Sequence, residues 1–184
     1  MQGVYIETSV ISYLTARPSR DLIVAAHQEI TRQWWESERV KYSIYTSEAV
    51  IREAAAGDAL AAARRMDLVA PFSMLDIDMH VEELAGEILR RGAMPPQAAL
   101  DALHVAVAAW HGVDYLLTWN CRHIASAHVR PRVEAVCRQR GIKAPQFAPI
   151  CADGRPRILS ASYRWVPSRS RTQRARHRRS HAQR

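Results

Sequence analysis

Short apolar runs alternate with longer helical patterns along residues 1–150, and nothing else in the sequence constrains the fold as strongly. Val4-Tyr5-Ile6 reads as a first strand, followed at once by polar Glu7-Thr8-Ser9. A helix is expected over 21–36, where Leu22, Ile23, Ala26, Ile30 and Trp34 recur near the helical period. Ser43-Ile44-Tyr45 suggests a second strand, after which Ser47 is expected to cap a helix running to Ala56 and ending at Gly57. Asp58 opens an alanine-rich helix through Met66, 72–77 reads as a third strand, and Met79 to Arg91 as a helix stopped by Gly92. Pro95-Pro96 precedes a helix from Gln97 to Trp110, and Tyr115-Leu116-Leu117 is a strand. A last helix covers 130–140, closed by Gly141, and 146–150 reads as a final strand. Strands separated by helical patterns of this length predict an α/β fold with a parallel sheet.

The chain has 184 residues, enough for one domain with a sizeable core. No apolar run approaches the roughly 18 residues that a membrane-spanning helix needs. The opening MQGVYIETSVISYL lacks a basic region and a cleavage-like end, so no secretory signal is read there. Cys121, Cys137 and Cys151 are odd in number and scattered, which suits neither a disulfide framework nor a zinc site. A reducing, cytoplasmic setting is the expectation. The net charge of +8 is unevenly spread: residues 151–184 carry ten arginines against Asp153, a net of +9, and residues 1–150 carry −1. That tail is rich in Arg, Ser, Gly and Pro without apolar periodicity, so it is expected to be disordered and separate from a domain at 1–150. Ten arginines invite nonspecific attraction to RNA, but a reading-frame change near residue 151 is the favoured account of so abrupt a shift.

The chemistry is sought in acids whose surroundings resist a structural explanation. From Ala98 to Trp110 the sequence is AALDALHVAVAAW, where only Asp101 and His104 are polar. A helix apolar all round is buried on most faces, and an ionised carboxylate there is costly unless paired or metal-bound. No Lys or Arg stands within one helical turn of Asp101. The competing account is an acid in the first turn favoured by the helix dipole. Glu7 follows a buried-looking strand, where ligands of open α/β sheets collect; alone it reads equally as the cap of a following short helix. Glu48 has Arg52 four residues on and reads as a solvated surface pair. Glu53 has no neutralising helical neighbour and is the better site candidate. Thr118-Trp119-Asn120 sits directly after a strand and offers oxygen donors of the kind hard cations accept; alone it reads as a turn.

Taken in order, YIETSVISYL, VIRE, DALHVAVAA and YLLTWNCRHIA resemble a PIN-domain protein, most of all the toxin component of VapBC toxin–antitoxin systems. The resemblance spans about residues 3–150; each motif is weak and their order strong. It implies a three-layer α/β/α fold with a central parallel sheet and a Mg²⁺- or Mn²⁺-dependent endoribonuclease. The family's acidic cluster maps onto Glu7, Glu53, Asp101 and the Asn120 region, with Glu7, Glu53 and Asp101 as metal ligands. The resemblance further implies a 5′-phosphate product, a cognate VapB-like antitoxin, and a homodimer. Two departures stand out: the first acid is Glu7 rather than the usual Asp, and His123 stands three residues after Asn120 where a last acid is common. The second removes one carboxylate from the site.

Around that cluster, Thr8 and Thr118 are expected to orient phosphate or a carboxylate, and Asn120 to act as hydrogen-bond donor or carbonyl ligand. His123 reads equally as a phosphate contact and as partner of an acid. His104 is expected to be a satisfied core histidine rather than part of the acidic pocket. Trp34, Trp35 and Trp110 are possible base-stacking residues, with helix packing the simpler account of Trp34 and Trp110. Arg17 and Arg20 are either RNA-backbone contacts or parts of a solvated loop with Asp21 as helix cap. The functional alternatives are a catalytically weak PIN-like protein that binds RNA or a partner, and a DNA-directed or flap-type nuclease.

Overall fold

The computed structural model describes residues 1–148; the expected disordered tail and the last two residues of the strand expected at 146–150 lie outside them. Five strands form one sheet: β1 (Gln2–Ile6), β2 (Tyr42–Ser47), β3 (Ser73–Leu75), β4 (Tyr115–Leu117) and β5 (Gln146–Ala148). Their order is β3-β2-β1-β4-β5, and every pairing is parallel. Val4, Tyr5, Ile6, Leu116, Leu117 and Phe147 are fully buried, as a parallel sheet covered on both faces requires.

Seven helices connect the strands: α1 (Thr8–Thr15), α2 (Leu22–Ser37), α3 (Glu48–Ala54), α4 (Ala59–Val69), α5 (Met79–Arg90), α6 (Ala99–Trp110) and α7 (Arg130–Gln139). From β1 to β3 the chain moves one way across the sheet; from β3 to β4 it returns past β1. Right-handed crossovers therefore send α1–α4 and α5–α7 to opposite faces, which gives the α/β/α layering. Consistently, α1 packs against α2, α3 and α4, whereas α5 packs against α6 and α7. The reversal leaves a switch point between β1 and β4, and ligands of such sheets bind outside the carboxyl ends of the strands there.

Local chemistry accounts for most boundaries. Asp21 caps α2 by accepting from the backbone N–H groups of Ile23 and Val24, so the loop reading of its surroundings holds. Gly92 and Gly141, with φ of 65° and 71°, take the left-handed positions that close α5 and α7. The apolar helix α6 buries Ala102, His104, Val105, Ala106, Val107, Ala108 and Ala109.

Residues 8–15 form the short helix that the cap reading of Glu7 expects. Two expectations are revised. Proline geometry makes 96–98 a single 3-10 turn, so α6 starts at Ala99 rather than Gln97. Ser47 stands at the cap position of α3 but makes no side-chain cap hydrogen bond; its hydroxyl meets that of Tyr5 at 2.7 Å.

Candidate active site

Glu7 leaves the carboxyl end of β1 and Thr118 that of β4, so both stand at the switch point. The Glu7 backbone N–H reaches the Leu117 carbonyl at 3.5 Å, closing the two strand ends together. Glu7 is the N-cap of α1: its carboxylate accepts from the Ser9 backbone N–H at 2.9 Å and from the Ser9 hydroxyl. Ser9 in turn accepts from the Trp119 backbone N–H at 2.9 Å, which couples the first acid to the β4 loop. Glu7 is only 5% exposed. Burial raises its pKa, and hydrogen bonds from Ser9 and Thr118 with the nearby His104 offset that rise only in part. Both accounts of Glu7 are thus correct geometrically: it caps a helix and it lines the switch point.

Glu53, on α3, is half-buried. Its Oε2 accepts from the Thr8 hydroxyl at 2.5 Å and lies 2.9 Å from His104 Nε2. Burial pushes its pKa up, but the hydrogen bonds from His104 and Thr8 outweigh that, and the net shift is downward. Asp101, in the first turn of α6, uses both oxygens: Oδ1 accepts from Asn120 Nδ2 at 2.9 Å, and Oδ2 lies 2.7 Å from His123 Nδ1. Asn120 Oδ1 accepts from the His123 backbone N–H at 3.0 Å, so the amide links the two residues that hold the acid. Asn120 N–H also donates to the Thr118 hydroxyl at 2.8 Å.

The structure therefore joins Glu7, Glu53 and Asp101 through Thr8, through His104, and through Thr118–Asn120. Thr8 and Thr118 contact carboxylates here, and Thr118 is fully buried. Of the two readings of His123, the structure displays the pairing with an acid. Glu48 points away, exposed and 3.5 Å from Arg52. His104 is 2% exposed with both ring nitrogens bonded, yet one of those bonds reaches the acidic pocket; core and pocket were not alternatives. Trp34 is wholly buried and cannot stack a base.

Sequence reasoning missed Tyr5, Ser9, Ser47 and Trp119. Tyr5 carried a signal: a tyrosine in a fully apolar central strand needs a partner for its hydroxyl. Trp119 carried none, because its anchors, His27 stacked at 4.1 Å and Thr31 accepting from Nε1 at 2.8 Å, lie on α2 far back in the chain.

Among the described residues no three His, Cys, Asp or Glu side chains form a ready-made metal cage. The donor set is nonetheless that of a hard cation held through its own waters: carboxylate oxygens, with Glu7 nearly enclosed and no Lys or Arg among the groups that act on it.

A parallel α/β domain with three carboxylates gathered at its switch point is a recognisable class, an acid-centred three-layer fold. The PIN domain family model matches residues 4–124, and the chain belongs to that family. Among solved structures it is similar to VapC20 of Mycobacterium tuberculosis, described as a sarcin–ricin loop cleaving toxin. The identity is 18%, with 62% of this chain and 87% of that chain covered at a TM-score of 0.50, a likeness of fold. No curated protein matches the sequence. Among the described residues no helix is long and apolar enough to cross a membrane.

Proposed function

We propose that this PIN-domain protein is a Mg²⁺- or Mn²⁺-dependent endoribonuclease of the VapC kind, acting on RNA in the cytoplasm and restrained by a VapB-like antitoxin, as a homodimer. The observation that carries the reading is Glu7: a carboxylate 5% exposed, without a Lys or Arg partner among the described residues, linked to two further carboxylates at the sheet's switch point. Clustered carboxylates repel, and without a cation at least one of them stays protonated. When bound, a divalent ion offsets that repulsion, orients a phosphodiester and lowers the pKa of a coordinated water.

Glu7, Glu53 and Asp101 would hold the ion, directly or through its waters. Thr8 fixes Glu53 by occupying Oε2, and Ser9 fixes Glu7. Asn120 and His123 hold Asp101 from both sides, and Trp119 keeps that loop against Ser9. The role of each is orientation: the acids meet the cation already placed, with little reorganisation left for the reaction.

Asp101→Asn is expected to abolish metal-dependent RNA cleavage while leaving the far-ultraviolet dichroism and melting profile of the fold in place. Cleavage at the wild-type rate by that variant, in Mg²⁺ or Mn²⁺, refutes the assignment. Parallel RNA and DNA oligonucleotides separate this reading from a DNA-directed nuclease. A second reading, a weakly catalytic RNA- or partner-binding protein, is favoured by one observation, the His123–Asp101 contact at 2.7 Å that already engages the acid. Under that reading the wild-type protein shows no Mn²⁺ affinity that depends on Glu7.

A further inference from the structure

We infer that His104 is a positioning residue that presents Glu53 to the cation, with Tyr5 and Ser47 setting its ring; this rests on the metal-dependent reading above. A chain of hydrogen bonds runs through the core: Ser47 hydroxyl to Tyr5 hydroxyl at 2.7 Å, Tyr5 hydroxyl to His104 Nδ1 at 2.9 Å, and His104 Nε2 to Glu53 Oε2 at 2.9 Å. It links β2, β1, α6 and α3 and ends on the one member that reaches solvent, the Glu53 side chain at 31% exposure against 2% for His104.

The donors can be assigned from chemistry. A carboxylate only accepts, so His104 Nε2 carries the proton that faces Glu53. In the Nε2–H tautomer Nδ1 accepts, which makes Tyr5 the donor there and leaves its oxygen to accept from Ser47. Each of the three contacts then has one donor and one acceptor. Tyr5 is fully buried, and burial holds its phenol well above the ordinary range, so it remains a donor.

The need for such a device follows from where Glu53 stands. It is next to last in α3, a helix of only seven residues, and a free Glu side chain loses rotamer entropy when it is ordered. His104 stands on the buried helix α6, one turn beyond Asp101, so the element that delivers Asp101 also fixes Glu53. Both donors to Glu53, Thr8 and His104, converge on Oε2, and Oε1 makes no hydrogen bond among the described residues. The side chain is thus held by one oxygen and offers the other. A histidine kept merely for packing needs no acid at one end and no tyrosine at the other.

The test is made on the full chain. Ring ¹⁵N chemical shifts of His104 in the wild type, without metal, are expected to report the Nε2–H tautomer; an Nδ1–H tautomer overturns the inference. Calorimetric Mn²⁺ titration then compares folded variants. His104→Met, which keeps volume and removes the bond, is expected to weaken Mn²⁺ binding by about tenfold or more, the usual cost of a lost supporting contact around a metal ligand. His104→Gln, whose amide nitrogen can stand in for Nε2, is expected to stay within about threefold of wild type by the same scale. Tyr5→Phe, which frees the tautomer, falls between them and decides the matter should His104→Met not fold. Wild-type Mn²⁺ affinity in His104→Met, or in Tyr5→Phe where that variant decides, overturns the positioning role alone, as does an equal loss in His104→Gln. Absence of any Mn²⁺ affinity in the wild type overturns the metal-dependent reading and this inference with it.

Discussion

Trp119→Phe tests whether the loop after β4 is held in place by its aromatic anchor. Trp119 donates its indole N–H to Thr31 at 2.8 Å, stacks on His27 with ring centroids 4.1 Å apart and 20° between planes, and meets Tyr13 edge-on. Thr31 is fully buried and bonds onward to the His27 carbonyl at 2.6 Å, so the acceptor cannot turn to water once the indole is gone. Phenylalanine keeps part of the stack and loses the hydrogen bond, whose net contribution is about 0.5–1.5 kcal/mol. Adding the thinner stack gives a total cost of about 1–2 kcal/mol. In a domain of this size that lowers the melting temperature by roughly 2–8 °C. A double-mutant cycle with Thr31→Val is expected to return a coupling of about 1 kcal/mol, well above the roughly 0.3–0.5 kcal/mol within which independent sites add. Because the Trp119 backbone also meets Ser9 and its neighbours Thr118 and Asn120 hold Glu7 and Asp101, kcat should fall by about tenfold or more at a temperature where the variant is fully folded, since small displacements at a site are expensive. An additive cycle, with an unchanged melting temperature, refutes the anchoring role; a normal kcat in a variant that melts lower confines it to stability.

Two further outcomes depend on pH. Burial raises the pKa of Glu7, so the stability linked to its protonated form is complete below the unfolded value of 4.5 and is lost as pH rises through the higher folded one. Glu7→Gln in the presence of a chelator should therefore melt above wild type at neutral pH and together with it in acid, while cleaving no RNA; calorimetric scans across pH check this, and a variant that melts lower at neutral pH refutes it. Glu87 behaves oppositely, because the hydrogen bond from Arg140 at 2.5 Å, with Arg91 beside it, holds its carboxyl below the usual range. Its contribution to joining α5 with α7 is present above the ordinary carboxylate pKa and lost as pH falls through the depressed one, so urea midpoints measured on acidification should decline less steeply in Glu87→Gln than in wild type.

The fold was legible where one period dominates a segment. The Val4–Ile6 run, the stretch around the Tyr115–Leu117 strand and the all-round apolar helix after Pro96 could each be read locally, and the caps at Asp21 and Asp58 are short-range chemistry that the structure repeats. The acids of the candidate site stood out by elimination, because Asp101 and Glu53 lack partners nearby in the sequence. Their actual partners were not. Sheet register sets Tyr5 opposite Tyr45, and a period of two then brings Ser47 to the same face as Tyr5, a relation no window of sequence contains. His104 looked like a core residue because its own helix is apolar, whereas its bonds go to residues 99 and 51 positions away. Trp34 and Trp119 show the same limit from both sides: composition cannot tell the buried tryptophan from the one that holds the loop.

Charge gives the site its remaining logic. The first 150 residues carry −1, and among the described residues the basic side chains that hydrogen-bond Glu53 and Asp101 are histidines, not Lys or Arg. A fixed Arg beside Glu7 or Glu53 would neutralise the acid permanently and remove the reason for a cation to bind. His104 and His123 orient Glu53 and Asp101 by hydrogen bonding. On the proposed reading the cost would be a site that repels a polyanion until a cation binds, since phosphates and carboxylates carry the same sign. A divalent ion reverses the sign of that encounter. On the metal-dependent reading proposed above, the acids that would draw the ion are the same groups that would make substrate binding conditional on it, and the uncharged donors Thr8, Ser9, Asn120 and Trp119 are the parts of the site that can be rigid with or without it.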